Sequence, residues 1–261
     1  YEFVFGDWSS DVCSSDLDWL DQKRQTFLIF DGVDSAFYVW VNGQEVGYSE
    51  DSMDQAEFNI TPYLQAGTNS IAVEVYRYST GSYFEDQDMW RYSGIFREVF
   101  LMNTPKVHIR DFFVKTTFDA QYENATATID VKLRNYEKFA KQGTMKITIT
   151  VHDKALQQVG QKMVKEIVLD GIYGNIADLP IHFTQDFIKP LQWSAEFPNL
   201  YHMTIELHTE KGELLEVLHS KFGFRQIQIK NAQLLINGKK IYFKGADRSE
   251  EHTSELQSPN T

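Results

Sequence analysis

Along most of the chain, apolar and polar positions alternate with a period of two, and few stretches show a helical period. From Thr26 to Val41 the apolar residues come in short runs. Phe27 and Ile29 lead, then Ala36, Tyr38 and Trp40 fall on one face of an extended segment and Phe37, Val39 and Val41 on the other. Such runs predict strands buried on both faces or nearly so. Asn42-Gly43 follows, with Val46 and Tyr48 beyond it, and predicts a hairpin because both central positions of a type I′ turn need positive φ. Ala56 to Ile60 predicts a further strand, and Thr61-Pro62-Tyr63-Leu64 a capped single turn with Pro at its first position. Asn69 to Tyr76 predicts a strand with Ile71, Val73 and Val75 inward, and Ile95 to Met102 closes the set.

Asn103-Thr104-Pro105 reads as a linker. After it, Val107 to Thr117 and Ala125 to Leu133 begin a second run of strands. Met145, Ile147, Ile149 and Val151 alternate strictly, as do Met203, Ile205 and Leu207, the mark of half-buried strands in an antiparallel sandwich. Leu156 to Leu169, Leu179 to Phe183 and Leu214 to Phe222 extend the series. From Phe224 a third unit starts with Leu234 to Ile236, an Asn237-Gly238 turn and Ile241 to Phe243. Many short strands without a long amphipathic helix predict an all-β chain. The expected organisation is one β-sandwich over residues 18–104, an immunoglobulin-like sandwich of ordinary size over 105–223, and a third unit over 224–247.

The two ends read differently. Residues 7–17, DWSSDVCSSDL, and residues 248–258, RSEEHTSELQS, correspond to translations of the two opposite strands of one sequencing-library adapter. Residues 1–17 and 248–261 are therefore set aside from the fold as adapter-derived rather than native. The expectation is that the natural gene is interrupted at both ends and that neither end packs on the body. Trimming also changes the arithmetic. The net charge of -12 falls to about -6, because the ends hold 7 of the 37 acids and 1 of the 25 bases, and the single cysteine, Cys13, goes with them. The body then has neither a disulfide framework nor a cysteine nucleophile. A residual acidic balance argues against a nucleic-acid partner, which is bound by Lys and Arg displacing counterions from phosphates, and no apolar run reaches the roughly 20 residues of a membrane helix. The compartment, cytoplasm or periplasm of a bacterium, stays undecided.

Chemistry concentrates in residues 81–97, GSYFEDQDMWRYSGIFR, where Glu85, Asp86, Asp88, Trp90, Arg91, Tyr92 and Arg97 lie between two predicted strands. Carboxylates that bind hydroxyls and an aromatic face for the apolar side of a pyranose suit a carbohydrate. The plain alternative is a charged loop with Trp90 plugging the sandwich edge. His152, His182, His202, His208 and His219 are scattered along strands without the short ligand spacing of a zinc site and read as exposed or satisfied sandwich histidines. Asn124-Ala125-Thr126 matches a glycosylation sequon, and Glu50, Asp51 and Asp54 read as a solvated acidic turn.

Residues 27–102, with FDGVDSAFYVWVNGQEVGYSEDSMDQAEFNITPYL and then DQDMWRYSGIFREV, resemble the first domain of glycoside hydrolase family 2 β-galactosidases, a jelly-roll-like galactose-binding-type sandwich. WSAEFPNLY at 193–201 resembles the late segment of that family's immunoglobulin-like second domain. FGFRQIQIKNAQLLINGKKIYFKG at 222–245 resembles the entry to its (β/α)8 barrel. The resemblance implies an N-terminal piece of a protein that hydrolyses terminal β-D-galactosides with retention. It implies that Asp88 binds substrate and a sodium ion, with Asp86 as runner-up, while Met89 and Trp90 pack. The two catalytic carboxylates and the magnesium ligands belong to the missing barrel, so this piece has no catalytic residue and is expected to be inactive and to bind neither ion tightly alone. Homo-oligomeric assembly of the longer protein stays open. A stand-alone carbohydrate-binding sandwich module is the alternative, and an adhesive array of sandwiches a third reading; neither gives a reason for the barrel-like entry.

Overall fold

The computed structural model describes residues 24–85, 90, 92–136, 143–169 and 178–242, together with the backbone of residues 13–16. Its strands in the first part of the chain are β1 (Cys13–Asp16), β2 (Arg24–Phe30), β3 (Val33–Asp34), β4 (Ala36–Val41), β5 (Gln44–Glu50), β6 (Ala56–Asn59), β7 (Thr68–Tyr76), β8 (Gly94–Ile95) and β9 (Val99–Pro105). They form a four-stranded sheet β1-β7-β4-β5, a three-stranded sheet β6-β2-β9 and a small pair β3-β8. The first two sheets close on one core, in which Leu28 and Phe30 meet Phe37, Val39, Val41 and Val73. β2 is buried on its other face as well. There Phe27 lies against the rings of His108 and Tyr136, with centroids at 6.3 and 5.9 Å.

The Asn42-Gly43 turn closes the β4–β5 hairpin with φ of 51° and 76°, the left-handed pair that a type I′ turn demands. Thr61–Tyr63 forms a 3₁₀ turn with Pro early in it, as its sequence predicts, but Ile60 holds the N-cap position without a side-chain cap. The Thr61 hydroxyl instead accepts the Thr26 backbone N–H at 2.8 Å and so ties the turn to β2.

Two expectations are corrected. Asn103-Thr104-Pro105 is the end of β9 and no linker: it pairs with Thr26, Gln25 and Arg24 of β2. Residues 1–17 do not stay wholly off the body, because Cys13–Asp16 runs antiparallel to β7, with Cys13 opposite Ile71 and Asp16 opposite Thr68. A sheet edge offers unpaired N–H and C=O groups to any nearby extended segment, whatever its side chains, so this pairing needs no selected sequence. Residues 248–261 lie outside the described residues.

The second part of the chain supplies β10 (Val107–Phe118), β11 (Ala125–Asn135), β12 (Gly143–His152), β13 (Met163–Leu169), β14 (Asp178–Phe187), β15 (Tyr201–Thr209) and β16 (Leu214–Phe222). Their sheets are β10-β11-β14 and β13-β12-β15-β16. Alternation holds along β11 and β15, where Ile129, Val131, Met203, Ile205 and Leu207 are almost wholly buried. On β12 Thr148 and Thr150 are buried too. The strand expected from Leu156 begins only at Met163; Leu156 itself is exposed with φ of 59°.

β17 (Ile227–Lys230), β18 (Gln233–Ile236) and β19 (Lys239–Lys240) follow as a small antiparallel meander. The strand expected over Ile241 to Phe243 ends earlier, and residues from 243 lie outside the described ones. Chain contacts divide the molecule into two compact units. One is Tyr1–Arg110 with Leu133–Gly143 and Val168–Leu179; the other is Asp111–Lys132 with Thr144–Ile167 and Pro180–Thr261. Among the described residues the one α-helix is α1 (Ser82–Glu85), and no helix is long and apolar enough to cross a membrane. The chain is all-β, as the alternation implies.

Candidate functional site

The pairing of β3 with β8 sets Asp34 opposite Gly94, and thereby brings the start of the first sandwich to the loop that sequence singles out. Ser52 joins them. Its backbone N–H donates to Glu85 Oε2 at 3.0 Å, and its hydroxyl lies 2.5 Å from the same oxygen and 3.3 Å from Asp34 Oδ1. Ser52 is buried, so the contact fixes α1, whose last residue is Glu85, against the β5–β6 turn. Arg97 clamps the other side: its Nη1 donates to the carbonyls of Met53 at 2.9 Å and Asp31 at 3.3 Å, and its guanidinium lies over the Phe96 ring at 5.1 Å. Gln55 donates to the Asp31 carboxylate at 2.6 Å. Three segments distant in sequence thus bring two carboxylates, Asp34 and Glu85, to the Ser52 hydroxyl.

Around this framework the large aromatics face solvent. Tyr83 is 89% exposed, Phe84 83%, Trp90 71% and Tyr92 75%, and Trp90 stacks on Tyr92 with centroids at 6.1 Å. Trp90 therefore does not plug the edge of the first sandwich. Trp90 and Tyr92 thus form one exposed, stacked pair of rings. Asp88, its runner-up Asp86, Met89 and Arg91 lie outside the described residues. Asp34 is the site residue that sequence reasoning missed, and only the long-range β3–β8 pairing marks it.

The remaining candidates have local roles. Glu50 accepts the Tyr48 hydroxyl; burial first and Glu50 second push that phenol up to about 12. Asn124 of the sequon is bound through its amide to Asp119 at 2.8 Å and accepts the Lys189 N–H at 3.3 Å, which makes it a loop brace. His182 pairs with Asp130 at 2.5 Å and His202 with His219 at 2.9 Å. His108, absent from the histidines singled out in sequence, is buried, stacks on Tyr136 and contacts the Pro105 carbonyl at 3.0 Å. Burial is the main cause that holds its imidazole below the usual range. Among the described residues no group of three or more His, Cys, Asp or Glu is gathered as a metal centre needs.

The two family-like segments of the second part converge on one another. Trp193 N–H donates to the Phe224 carbonyl at 3.0 Å, and Phe224 is fully buried against Phe187, Tyr201 and Phe222, with centroids at 4.9 to 5.2 Å. A Cβ on Gly223 would stand 2.7 Å from Trp193. Asn237 donates to the Trp193 carbonyl at 3.1 Å and accepts Gln226 N–H at 2.7 Å. WSAEFPNLY, FGFR and the LLING turn are thus parts of one packed joint.

Residues 8–105 match the model of the sugar binding domain of glycosyl hydrolases family 2, and residues 107–225 match a second model of the same family. The chain belongs to glycoside hydrolase family 2. Among curated relatives, the beta-galactosidase of Priestia megaterium is 43% identical over 234 residues, 89% of this chain and 22% of that protein. The beta-galactosidase of Pectobacterium atrosepticum is 44% identical over 236 residues, 90% of this chain and again 22% of the relative. The chain thus spans about a fifth of the length of these relatives. Among solved structures, a family 2 member from Bacteroides cellulosilyticus superposes with a TM-score of 0.76 at 23% identity, over 90% of this chain and 31% of that one. A Bacteroides uniformis beta-glucuronidase gives 0.75 at 23% identity over 87% and 28%. At that identity the structures speak for the fold alone.

Proposed function

We propose that this chain is the N-terminal part of a retaining β-galactosidase and supplies one edge of its substrate site. The observation that carries the reading is the identity of 43 to 44%, over nearly the whole chain, to two proteins named beta-galactosidase. The Asp34–Ser52–Glu85 framework and the four exposed rings beside it support it. Carboxylates accept hydroxyl hydrogens of a sugar, and aromatic faces cover its C–H surface. In this reading Asp88 binds the galactoside and contributes an oxygen to sodium, a hard cation that takes oxygen ligands. Magnesium and both reacting carboxylates, about 5 to 5.5 Å apart in a retaining enzyme, belong to the remainder of the longer protein. The adapter origin of both ends belongs to the same proposal.

Genomic DNA flanking residues 18–247 tests it first: an open frame encoding a (β/α)8 barrel is expected, and a stop after a lone sandwich pair would overturn it in favour of a carbohydrate-binding module. The longer protein should then turn over a chromogenic β-galactoside. The chain as given should not, and turnover that survives purification and is abolished by mutation within 18–247 would sink this part of the proposal.

A further inference from the structure

On β15 the inward residues are Met203, Ile205 and Leu207, which leaves His202 and Thr204 on the opposite face of the sheet. β16 runs antiparallel beside it, with Lys221 opposite His202 and His219 opposite Thr204. His219 is therefore the diagonal neighbour of His202 on the outer face, within reach of a long side chain. Their rings meet: His202 Nδ1 and His219 Nε2 are 2.9 Å apart, with ring planes at 25°.

We propose that His202 and His219 form a two-imidazole site for a divalent transition-metal ion, built across β15 and β16. Imidazole nitrogens are ligands of copper, nickel and zinc alike, at about 2.0–2.1 Å. With nitrogens 2.9 Å and centroids 5.1 Å apart the two rings point at one another, so an ion is bound when the rings turn and exchange this contact for two bonds to the metal.

The chemistry of the pair suits a ligand role. In the present contact one nitrogen donates and the other accepts; with an ion between them, each ring carries its proton on the other nitrogen, Nε2 of His202 and Nδ1 of His219, and no net proton is released from two neutral rings. His152 is the register partner of His202 on β12, yet among the described residues no third His, Cys, Asp or Glu joins the pair as a ligand. Water completes the shell, and the ion exchanges readily. The other histidines are arranged differently: His182 is committed to Asp130, His108 is buried, and His208 lies 3.7 Å from Glu206. This inference rests on the sheet alone and stands apart from the galactosidase reading.

The test titrates the chain with Ni(II) while following histidine ring signals by NMR and heat by calorimetry. One saturable ion per chain in the micromolar range is expected, with the His202 and His219 signals broadening first. His202→Asn or His219→Gln should weaken binding by about tenfold or more, since each removes one of the two protein ligands, and His182→Asn should leave it unchanged. Binding only at millimolar metal, or broadening that begins at other histidines, would overturn the site. So would wild-type affinity in His202→Asn, with its fold checked by circular dichroism. The broadening pattern is read on the unmutated chain, so a variant that fails to fold does not rescue the proposal.

Discussion

Residues 83–97 and residues 193–225 draw on the same materials, aromatic rings and arginines among a few glycines, and meet opposite environments. In the later stretch the rings of Tyr201, Phe222 and Phe224 close on one another and Phe224 loses all contact with solvent. In the earlier one Tyr83, Phe84, Trp90 and Tyr92 stand in water, while the surrounding polar residues are well bonded through Ser52 and Arg97. Composition does not distinguish a packed joint from an open edge. What distinguishes them is whether strands bring partner surfaces to both sides of the rings. The joint is held by burial; the open edge is held by hydrogen bonds beneath rings that contribute little to folding. The contrast teaches that exposed rings in the first stretch leave its folding to hydrogen bonds, whereas the second is held by ring burial.

Phe224→Ala should break the contrast most severely. Removing a fully buried ring with three ring neighbours costs about 3–5 kcal/mol, read as a lower denaturant midpoint at unchanged slope; a loss below about 1 kcal/mol would show that the joint relaxes around the cavity. Gly223→Ala acts on the same joint by overpacking. Its new Cβ would stand 2.7 to 2.8 Å from Trp193 Cβ, Cγ and Cδ1, and with the ring hemmed in by Arg225 at 4.9 Å the expected cost is about 1–3 kcal/mol. Unchanged thermal stability would mean that Trp193 turns away freely.

How much of this was legible beforehand follows the range of the interactions. Met203, Ile205 and Leu207 announce a half-buried strand because the signal is local, and Asn42-Gly43 announces its hairpin because the φ requirement falls on those two residues. Asn103 to Pro105 misleads, since a Pro-containing polar tripeptide looks like a linker, and only its pairing with Arg24 to Thr26 makes it a strand. The loop at 81–97 is visible as a cluster, but Asp34 joins it through a pairing some sixty residues away in sequence. The exposure of Trp90 was illegible for the same reason. His202 and His219 share no short spacing; a diagonal between paired strands brings them together.

Ser52→Ala tests the open edge from below. The hydroxyl that reaches Glu85 and Asp34 disappears, and although the Ser52 N–H still donates to Glu85, about 1 kcal/mol is expected to go. Hydrogen exchange should rise in residues 82–85 before it rises in β4 or β7. Uniform loosening of the first sandwich would show that Ser52 belongs to the core rather than to the loop.

The smallest effect on folding, and the one that decides the meaning of the open edge, is expected from Trp90→Ala, Tyr92→Ala and Asp88→Asn. The two rings are more than 70% exposed, so their removal should shift stability by no more than about 0.5 kcal/mol, the ordinary range for surface changes. Asp88→Asn keeps the shape and removes the charge, and in the proposed role it too should leave folding nearly untouched. In the longer protein each change should lower galactoside kcat/KM by about tenfold or more, equivalent to about 1.4 kcal/mol of transition-state binding. Asp88→Asn should in addition weaken the dependence of turnover on sodium, a readout that loss of an aromatic surface would not move. If all three left kinetics unchanged while any of them unfolded the first sandwich, the exposed rings would be part of its structure, and the difference between the two aromatic stretches would be one of degree.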